Sequence, residues 1–425
     1  MIKSLTLLFS LGLLLLSSPV LAQFKLGLEV RPRSEYRNGF KTLNAEQRSA
    51  AFFTEQRTRI YAGYSGDDID IVVSLQDVRI WGATDQIYKS DPSLTNIHMA
   101  YARYHMSPKW AIAAGRMELN YDNARIFGNL AWAQQSRSHD LAQLTFSDST
   151  FQVHVGAAFN QSADTPEFKK VNGTYYNGNN YKTMQYAWLH KDFSKLSASL
   201  LLINAGVQNG PDSAASVSFK QTSGGILNYK ISKSLKLTAE GYYQSGSLSE
   251  EQYINAYMLA GSIGYKVSSG LKVDVGIDYL SGTDSQAGGK TVQAFSPDYG
   301  TNHKFYGFMD YFYVGNPHGN VGLKDYYIKG TYKPAKKITT LAHVHFFNAA
   351  APIYTGEGSV TASSSLGTEF DLVLVYAFNK AFNIKAGYSQ LFATESMEYL
   401  KKGDASSTNN WAWMMLTFKP KLTKL

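Results

Sequence analysis

The stretch FKLGLEVR, residues 24–31, alternates apolar and polar side chains without interruption. Because successive side chains of a β-strand point to opposite faces, Lys25, Glu29 and Arg31 would share one face and the apolar residues the other. A strand of this kind is typical of a wall that separates lipid from water. The same alternation recurs in DIDIVVSL at 68–75, FQVHVGAAFN at 151–160, LKLTAEGYY at 235–243 and LKVDVGIDY at 271–279. The period of two predicts an all-β chain.

The connections between the predicted strands alternate in length, which a soluble sandwich has no reason to show. Short turns are predicted near residues 64–67, 107–109, 147–150, 192–195, 231–234, 267–270, 333–337 and 379–381. Longer connections are predicted near residues 38–51, 82–95, 122–136, 161–181, 205–215, 246–252, 282–319, 348–366 and 394–409. Eight short and nine long connections require eighteen strands, to within two. The sequence therefore predicts a transmembrane, antiparallel, up-and-down β-barrel with an aqueous interior.

The first 22 residues have the features of a secretory signal peptide. Lys3 supplies a basic start, residues 5–16 form an apolar core, and Val20-Leu21-Ala22 has a small-residue cleavage pattern. We expect residues 1–22 to be removed and residues 23–425 to form one barrel domain in the bacterial outer membrane, with both termini in the periplasm. No later stretch of about 18 consecutive apolar residues occurs, which argues against membrane-spanning helices.

The composition supports this location. The chain has 29 Tyr and 23 Phe among 425 residues but only 17% charged residues, which suits a wall with a lipid face. The absence of cysteine excludes disulfides, thiolate metal sites and a lipid anchor on cysteine. No basic helix or recognised motif accompanies the modest positive charge, so we expect no nucleic-acid partner. A soluble β-propeller is the alternative fold, but it would make the signal peptide and the loop alternation coincidental.

All eleven arginines fall between residues 31 and 137. Arg31 and Arg33 share a face of the first strand, and Arg57 and Arg59 share a face of the second, in each case opposite the apolar face. An arginine on the lipid face at mid-depth costs about 2–4 kcal/mol, so these side chains are expected to face the lumen. The residues that the strand pattern predicts to line the pore are Arg31, Arg33, Arg57, Arg59, Arg103 and Arg116.

Two interpretations of these arginines are open. In one, arginines and glutamates form a lumenal salt-bridge ladder that braces the wall. In the other, the excess of arginine makes a basic lining that selects anionic solutes, because the planar guanidinium binds a carboxylate or a phosphate with two parallel hydrogen bonds. With a Debye length of about 8 Å, either arrangement acts on a solute only where the channel is narrow.

Other clusters give weaker signals. Ser138, His139 and Asp140 are adjacent, but neighbours in a strand point to opposite faces and cannot meet as a catalytic triad. His343 and His345 share a face, yet two histidines without a nearby carboxylate are weak evidence for a metal. We therefore predict no catalytic residues, no cofactor and no metal site.

Two further groups have alternative interpretations. The aromatic run from Tyr306 to Tyr313 is either a sugar-stacking platform or part of a membrane-interface girdle. Lysines at the short turns either contact phosphates of the inner leaflet or form an electropositive mouth. They are Lys109, Lys191, Lys195, Lys230, Lys233, Lys333, Lys336, Lys337 and Lys380.

Several motifs follow one another along the mature chain. They are QRTR at 56–59, LQDVRIWG at 75–82, GRMELNY at 115–121, RIFGN at 125–129 with Trp132, Gln135, Arg137 and Asp140, HKFYGFMDYF at 303–312, GLKDYY at 322–327 and HFF at 345–347. Taken in order, they resemble the alginate export family of outer-membrane porins. The resemblance implies an eighteen-stranded barrel whose arginine-lined lumen passes an anionic polysaccharide outward by passive diffusion. It also implies pore-lining roles for Arg57, Arg59, Arg79, Arg116, Arg125 and Arg137.

The leading hypothesis is a passive, arginine-lined channel for anionic solutes or an alginate-like anionic polysaccharide. A weakly selective general porin is one alternative, and a non-conducting barrel enzyme or adhesin is another. The enzyme would need a nucleophile and a base on one face, which the sequence does not indicate. Expected partners are outer-membrane lipid, the anionic solute or polysaccharide, and periplasmic secretion partners. No long periplasmic turn suggests a plug, so gating, solute, direction of transport and oligomeric state stay open.

Overall fold

The structure, a computed structural model, describes residues 23–424 except 46–47, 84–94, 163–174, 177, 179, 286–288, 313–319 and 356–360. The predicted signal peptide lies outside these residues. Among the described residues, no helix combines the length and the apolar character needed to cross a membrane.

Eighteen long strands form the wall in the described part of the chain, as predicted. They are β1 Gln23–Asn38, β2 Ala51–Ser65, β3 Ile69–Ile80, β4 Thr95–His105, β5 Trp110–Met117, β6 His139–Ser147, β7 Phe151–Phe159, β8 Thr183–Asp192, β9 Leu196–Asn209, β10 Ser216–Lys230, β11 Leu235–Ser247, β12 Tyr253–Lys266, β13 Leu271–Leu280, β15 Leu323–Ala335, β16 Ile338–Asn348, β17 Ser365–Ala377, β18 Phe382–Ala393 and β19 Asn409–Phe418. Two short strands, β14 Thr291–Val292 and β20 Lys421–Lys424, pair with β12 and β1. A short helix, α1, spans Glu395–Lys401.

Each wall strand pairs antiparallel with its neighbours in chain order, and the last wall strand returns to the first. In this seam between β1 and β19, Val30 lies opposite Phe418 and Glu35 lies opposite Trp413. The indole Nε1 of Trp411 donates a hydrogen bond of 2.8 Å to Glu35 across the seam. The sheet is therefore a closed barrel, in which neighbouring strands satisfy one another's backbone groups.

The strands have the two faces that the alternation predicts. In β1, Leu28 is 38% exposed whereas the next residue, Glu29, is 4% exposed. Ile69 and Ile71 on β3 are likewise exposed, as are apolar residues around the rest of the wall. A continuous apolar outer surface of this kind suits contact with lipid.

The two ends of the barrel differ as the connection lengths predict. Eight tight turns close one end; in one of them Asp148 accepts backbone hydrogen bonds from Thr150 and Phe151. The other end carries the long connections. Two of these connections, from β5 to β6 and from β13 to β15, contribute many of the fully buried side chains, including Phe127, Tyr306 and Tyr311. The buried core of the protein thus lies inside the barrel.

Candidate functional site: the lumenal constriction

Two connections fold into the lumen and contact each other there. We call residues 118–138, between β5 and β6, the first inner loop, and residues 293–312, before β15, the second inner loop. The backbone N–H of Gly128 donates to the carbonyl of Tyr299 at 2.9 Å, and the N–H of Thr301 donates to that of Ala124 at 2.8 Å. The rings of Phe127 and Tyr299 stack with their centroids 5.5 Å apart. The two loops therefore form one connected element that narrows the channel.

On one side this element contacts the basic wall, which comprises Arg31 and Arg33 on β1 and Arg57 and Arg59 on β2. Arg31 donates to the backbone carbonyl of Ala131 at 2.8 Å and to the side chain of Gln134 at 2.9 Å. The first inner loop therefore accepts hydrogen bonds from Arg31 nitrogens that would otherwise be available to a solute. The basic wall holds the loop in place.

Arg57 and Arg33 have additional partners on the wall itself. Arg57 donates to the carboxylate of Glu29 at 2.5 Å and to the hydroxyl of Ser136, in the first inner loop, at 3.0 Å. Arg33 pairs with Glu35 at 2.8 Å, and its guanidinium lies 4.2 Å from the ring centroid of Trp132. The basic wall is therefore both a salt-bridge ladder and an anchor for the first inner loop.

Other carboxylates of the lumen form the acidic wall, which comprises Glu240 on β11, Asp278 on β13, and Glu369 and Asp371 on β17. Arg125 of the first inner loop is buried against it. This guanidinium donates to Asp278 at 2.6 Å and to Glu240 at 3.1 Å. Burial alone would lower the pKa of Arg125, but the two carboxylates raise it well above its usual value. The loop arginine is held permanently charged in a carboxylate pocket.

The second inner loop is also fixed to the acidic wall. Glu369 accepts a hydrogen bond from the backbone N–H of Met309 at 2.9 Å. Gly307, two residues before Met309, has a positive φ of 79°, and a Cβ there would lie 2.5 Å from the Glu369 carboxylate. Only glycine combines this backbone conformation with so close an approach. The hydroxyl of Tyr306 completes the link by accepting a hydrogen bond from Arg125 at 2.9 Å.

A third contact joins the first inner loop to β8 and β9. Asp122 accepts hydrogen bonds from Ser199 at 2.6 Å and from the indole of Trp188 at 3.1 Å. Burial raises the pKa of Asp122 above its usual value, although these two hydrogen bonds act in the opposite direction. The neighbouring Tyr121 stacks on Trp188 with a centroid distance of 4.8 Å. This side of the lumen is aromatic rather than charged.

Two of the nine predicted pore-lining arginines face away from the lumen, which corrects the sequence prediction. Arg116 has the parity of Ile112, an exposed residue of the outer face of β5, and it forms a two-pronged pair with Asp140 at 2.8 and 2.6 Å. Arg79 has the parity of Leu75 on β3 and pairs with Asp77 at 2.6 Å. Both lie near the long-connection end of their strands, where the cost of an outward arginine falls to about 0–1 kcal/mol.

The remaining predicted arginines lie inside the barrel in different settings. Arg137 donates to the carbonyls of Gly128 and Gly300 at 3.5 and 3.1 Å and thus lies between the inner loops. Arg103 on β4 lines a cavity of about 310 Å³, and its Nε has no hydrogen-bond partner among the described residues. The structure therefore gathers Arg31, Arg33, Arg57 and Arg59, and leaves Arg103, Arg125 and Arg137 apart from them.

The residues of the apparent triad separate as the strand geometry predicts. His139 faces inward and lies 2.9 Å from the hydroxyl of Tyr181, whereas Asp140 pairs with Arg116 on the outer face. Sequence reasoning missed Glu240, Asp278 and Glu369 as partners of the inner loops. Their positions in the alternating strands predict that they face the lumen. This could have indicated them, since a buried acidic residue requires a partner.

The short-turn end carries the predicted lysines. Several of them surround a cavity of about 460 Å³ between neighbouring turns. The lysines that line it are Lys230, Lys233, Lys236, Lys266, Lys272 and Lys333. Three of these lysines were predicted from the turns, and Lys236, Lys266 and Lys272 at the strand ends add to them.

Comparisons with known proteins agree with this architecture. The sequence model described as alginate export matches residues 22–412. Among solved structures, OccAB4 of Acinetobacter baumannii is 12% identical with a TM-score of 0.64, covering 95% of this chain and 100% of its own. OpdQ of Pseudomonas aeruginosa is 13% identical with a TM-score of 0.62, covering 94% of this chain and 98% of its own. A BenF-like porin from Pseudomonas fluorescens Pf-5 is 12% identical with a TM-score of 0.60, covering 94% and 99%. No curated protein matches the sequence.

Proposed function

Because the chain belongs to the alginate export family of bacterial outer-membrane channels, we propose that it passes anionic solutes, including carboxylate-bearing polysaccharide, by passive diffusion. The solute would pass through the lumen beside the two inner loops. Since these loops narrow the lumen, charges on the wall lie within a Debye length of a passing solute. The closed barrel supports a location in the outer membrane, where its short turns would face the periplasm.

The observation that carries the proposal is the unpaired guanidinium of Arg103. Arg103 lies on the lumenal face beside an open cavity, and no hydrogen bond or ion pair to it is found within the described residues. Asp70 lies opposite Arg103 in the register of β3 and β4, but its carboxylate accepts hydrogen bonds from Ser65 and lies 2.7 Å from His105. An arginine that lines an open cavity and whose guanidinium meets no protein acceptor is suited to bind a carboxylate.

The other charged group at this cavity is already occupied. The two oxygens of Glu118 lie 2.8 Å from His98 Nε2 and 3.0 Å from the Asn129 amide. On the neighbouring basic wall, Arg59 also retains one terminal nitrogen, Nη2, without a hydrogen-bond partner. Because Arg59 is only 4% exposed, the half-buried Arg103 is the more accessible positive donor on this side of the lumen, which favours anions.

Reversal potentials in planar bilayers under a salt gradient test the proposal. The wild-type channel should prefer anions, and Arg103→Gln should shift the reversal potential toward zero without abolishing conductance. Arg116→Gln is the matched control, because its guanidinium pairs with Asp140 on the outer face. Cation preference in the wild type, or equal shifts in the two variants, would contradict the proposal.

A weakly selective general porin is the second candidate, and one observation favours it. Arg33, Arg57 and Arg125 each pair with carboxylates, so much of the arginine charge is neutralised inside the protein. On this alternative the wild type would show little preference between anions and cations, and Arg103→Gln would change nothing.

The proposal extends to the partners. The lysines around the short-turn cavity suit either phosphates of the inner leaflet or an anionic chain that enters from the periplasm. Periplasmic secretion partners would meet the barrel at this end. We further propose that the protein has no enzymatic activity, since His139 and Asp140 face opposite sides of the wall.

A further inference from the structure

A cluster of histidine and carboxylate side chains lies on the lumenal face of β16 and β17, below the second inner loop. One ligand atom each from His343, His345 and Asp371 lies within 4.8 Å of the others. We propose that these three residues bind a divalent transition-metal ion of the Zn²⁺ class. The proposal does not depend on the selectivity of the channel. It departs from our sequence expectation for these two histidines, because the fold brings a carboxylate beside them.

Unpartnered atoms within the cluster point to a ligand. Asp371 is 1% exposed, and its Oδ2 accepts no hydrogen bond from an N–H or hydroxyl group of the described residues, although the carboxyl group of Glu369 lies beside it. The Nδ1 of His343 is likewise buried without a partner there. Buried polar atoms in folded proteins are almost always hydrogen-bonded, so two such atoms at one place require an explanation. A bound cation would satisfy both of them.

The surrounding residues orient the proposed ligands. The Nδ1 of His345 lies 2.9 Å from both oxygens of Asp325, which leaves the Nε2 of His345 free to bind a metal. Ser389 donates to Oδ1 of Asp371 at 2.5 Å, which leaves Oδ2 directed toward the histidines. A carboxylate behind a metal-binding histidine fixes its tautomer and orientation, and it raises metal affinity.

The distances between the three side chains fit an ion such as Zn²⁺ if the side chains move slightly closer together. The His345 Nε2 and Asp371 Oδ2 atoms are 4.0 Å apart. Zinc binds nitrogen and carboxylate oxygen at about 2.0–2.2 Å, so the three side chains must close in by about 1 Å. Two imidazoles and one carboxylate suit zinc and its neighbours, with a further position left for water. Mg²⁺ and Ca²⁺ prefer all-oxygen ligands and are disfavoured.

Lys329 is the competing source of positive charge. It lies opposite His343 in the register of β15 and β16, and its Nζ lies 4.4 Å from the ring centroid of Tyr327. A lysine that lies opposite His343 would repel a metal ion bound there and would partly neutralise the carboxylates. Replacing Lys329 therefore separates the two explanations of the cluster.

The experiment uses the full chain, purified in detergent and stripped with EDTA. Equilibrium dialysis against Zn²⁺, followed by elemental analysis, should find one tightly bound ion per chain. His343→Gln and Asp371→Asn should lose this ion, and Asp325→Asn should weaken its binding by about 10–100-fold. His154→Gln is the control, because His154 faces the lumen beside Tyr121, away from the cluster.

The same measurement can overturn the proposal. Absence of a bound ion in the wild type at micromolar Zn²⁺, or unchanged binding by His343→Gln, would exclude the site. Lys329→Gln serves if Asp371→Asn does not fold. It should tighten zinc binding if the cluster is a metal site, whereas unchanged zinc binding with a lower unfolding temperature would assign Lys329 as the sole counter-ion.

Discussion

The basic wall and the acidic wall hold the same pair of inner loops by opposite chemistry. On the basic wall, arginines of β1 and β2 donate to backbone carbonyls of the first inner loop. On the acidic wall, carboxylates of β11, β13 and β17 accept from Arg125 and from the backbone N–H of Met309. The loops are therefore fixed by arginines on one part of the wall and by carboxylates on another.

The difference shows that lumenal arginines need not all serve a solute. Arg31 and Arg57 fix a loop, Arg125 is a loop residue that reaches a wall, and Arg103 faces water. The contribution of each arginine to selectivity depends on which of these roles it has.

The largest effect is expected from removing the contact between the first inner loop and the acidic wall. Arg125→Met would leave Glu240 and Asp278 buried without their partner, which costs about 3–5 kcal/mol in the free energy of unfolding. We also expect higher single-channel conductance, because both inner loops lose their link through Tyr306. Thermal unfolding in detergent and bilayer recordings measure the two effects.

A combined variant provides the control for this prediction. Replacing the carboxylates together with the arginine, as Arg125→Met with Glu240→Gln and Asp278→Asn, removes the uncompensated charge. Stability should then recover much of the loss, while conductance stays high. If the single variant is as stable as the wild type, the acidic wall does not anchor the loop.

A smaller effect is expected on the basic wall, where two arginines can be compared directly. Arg57→Met leaves Glu29 buried, with Lys419 as its nearest other cation at 3.4 Å, whereas Arg31→Met leaves no carboxylate behind. Arg57→Met should therefore lower the free energy of unfolding more, by about 1.5–3 kcal/mol. Equal losses from the two substitutions would show that the carbonyl contacts, rather than the ion pair, dominate.

The smallest effect is expected at Asp122, which contacts the aromatic side of the lumen. Its pKa in the folded protein is raised above the usual 3.8, so its contribution to stability is present below that pH and is lost as pH rises through the folded pKa. Asp122→Asn keeps one acceptor oxygen, for the Trp188 indole, and removes the charge. The variant should match the wild type near pH 3 and exceed its unfolding temperature at neutral pH. A constant difference at all pH values would contradict this prediction.

The wall was predictable from sequence, and the inner loops were not. Alternation of the kind seen in residues 24–31 predicts which side chains of β1 face lipid, because parity is a local property. The pairing of Arg125 with Asp278 joins residues 153 positions apart, and no local pattern indicates it. We predict Arg116 in the lumen with the other strand arginines and Arg79 there from the family resemblance alone, although their parity with Ile112 and Leu75 indicates the outer face.

The seam between β1 and β19 has a consequence for assembly. Its hydrogen bond between Trp411 and Glu35 joins residues 376 positions apart in the chain. Contacts of such high sequence separation form slowly, since a long loop must close before they contribute. Until residues 409–418 arrive, β1 and β18 each present an open edge, and unpaired backbone groups in lipid cost several kcal/mol each. Insertion is therefore coupled to completion of the chain, and the first strand must be shielded until the last one docks.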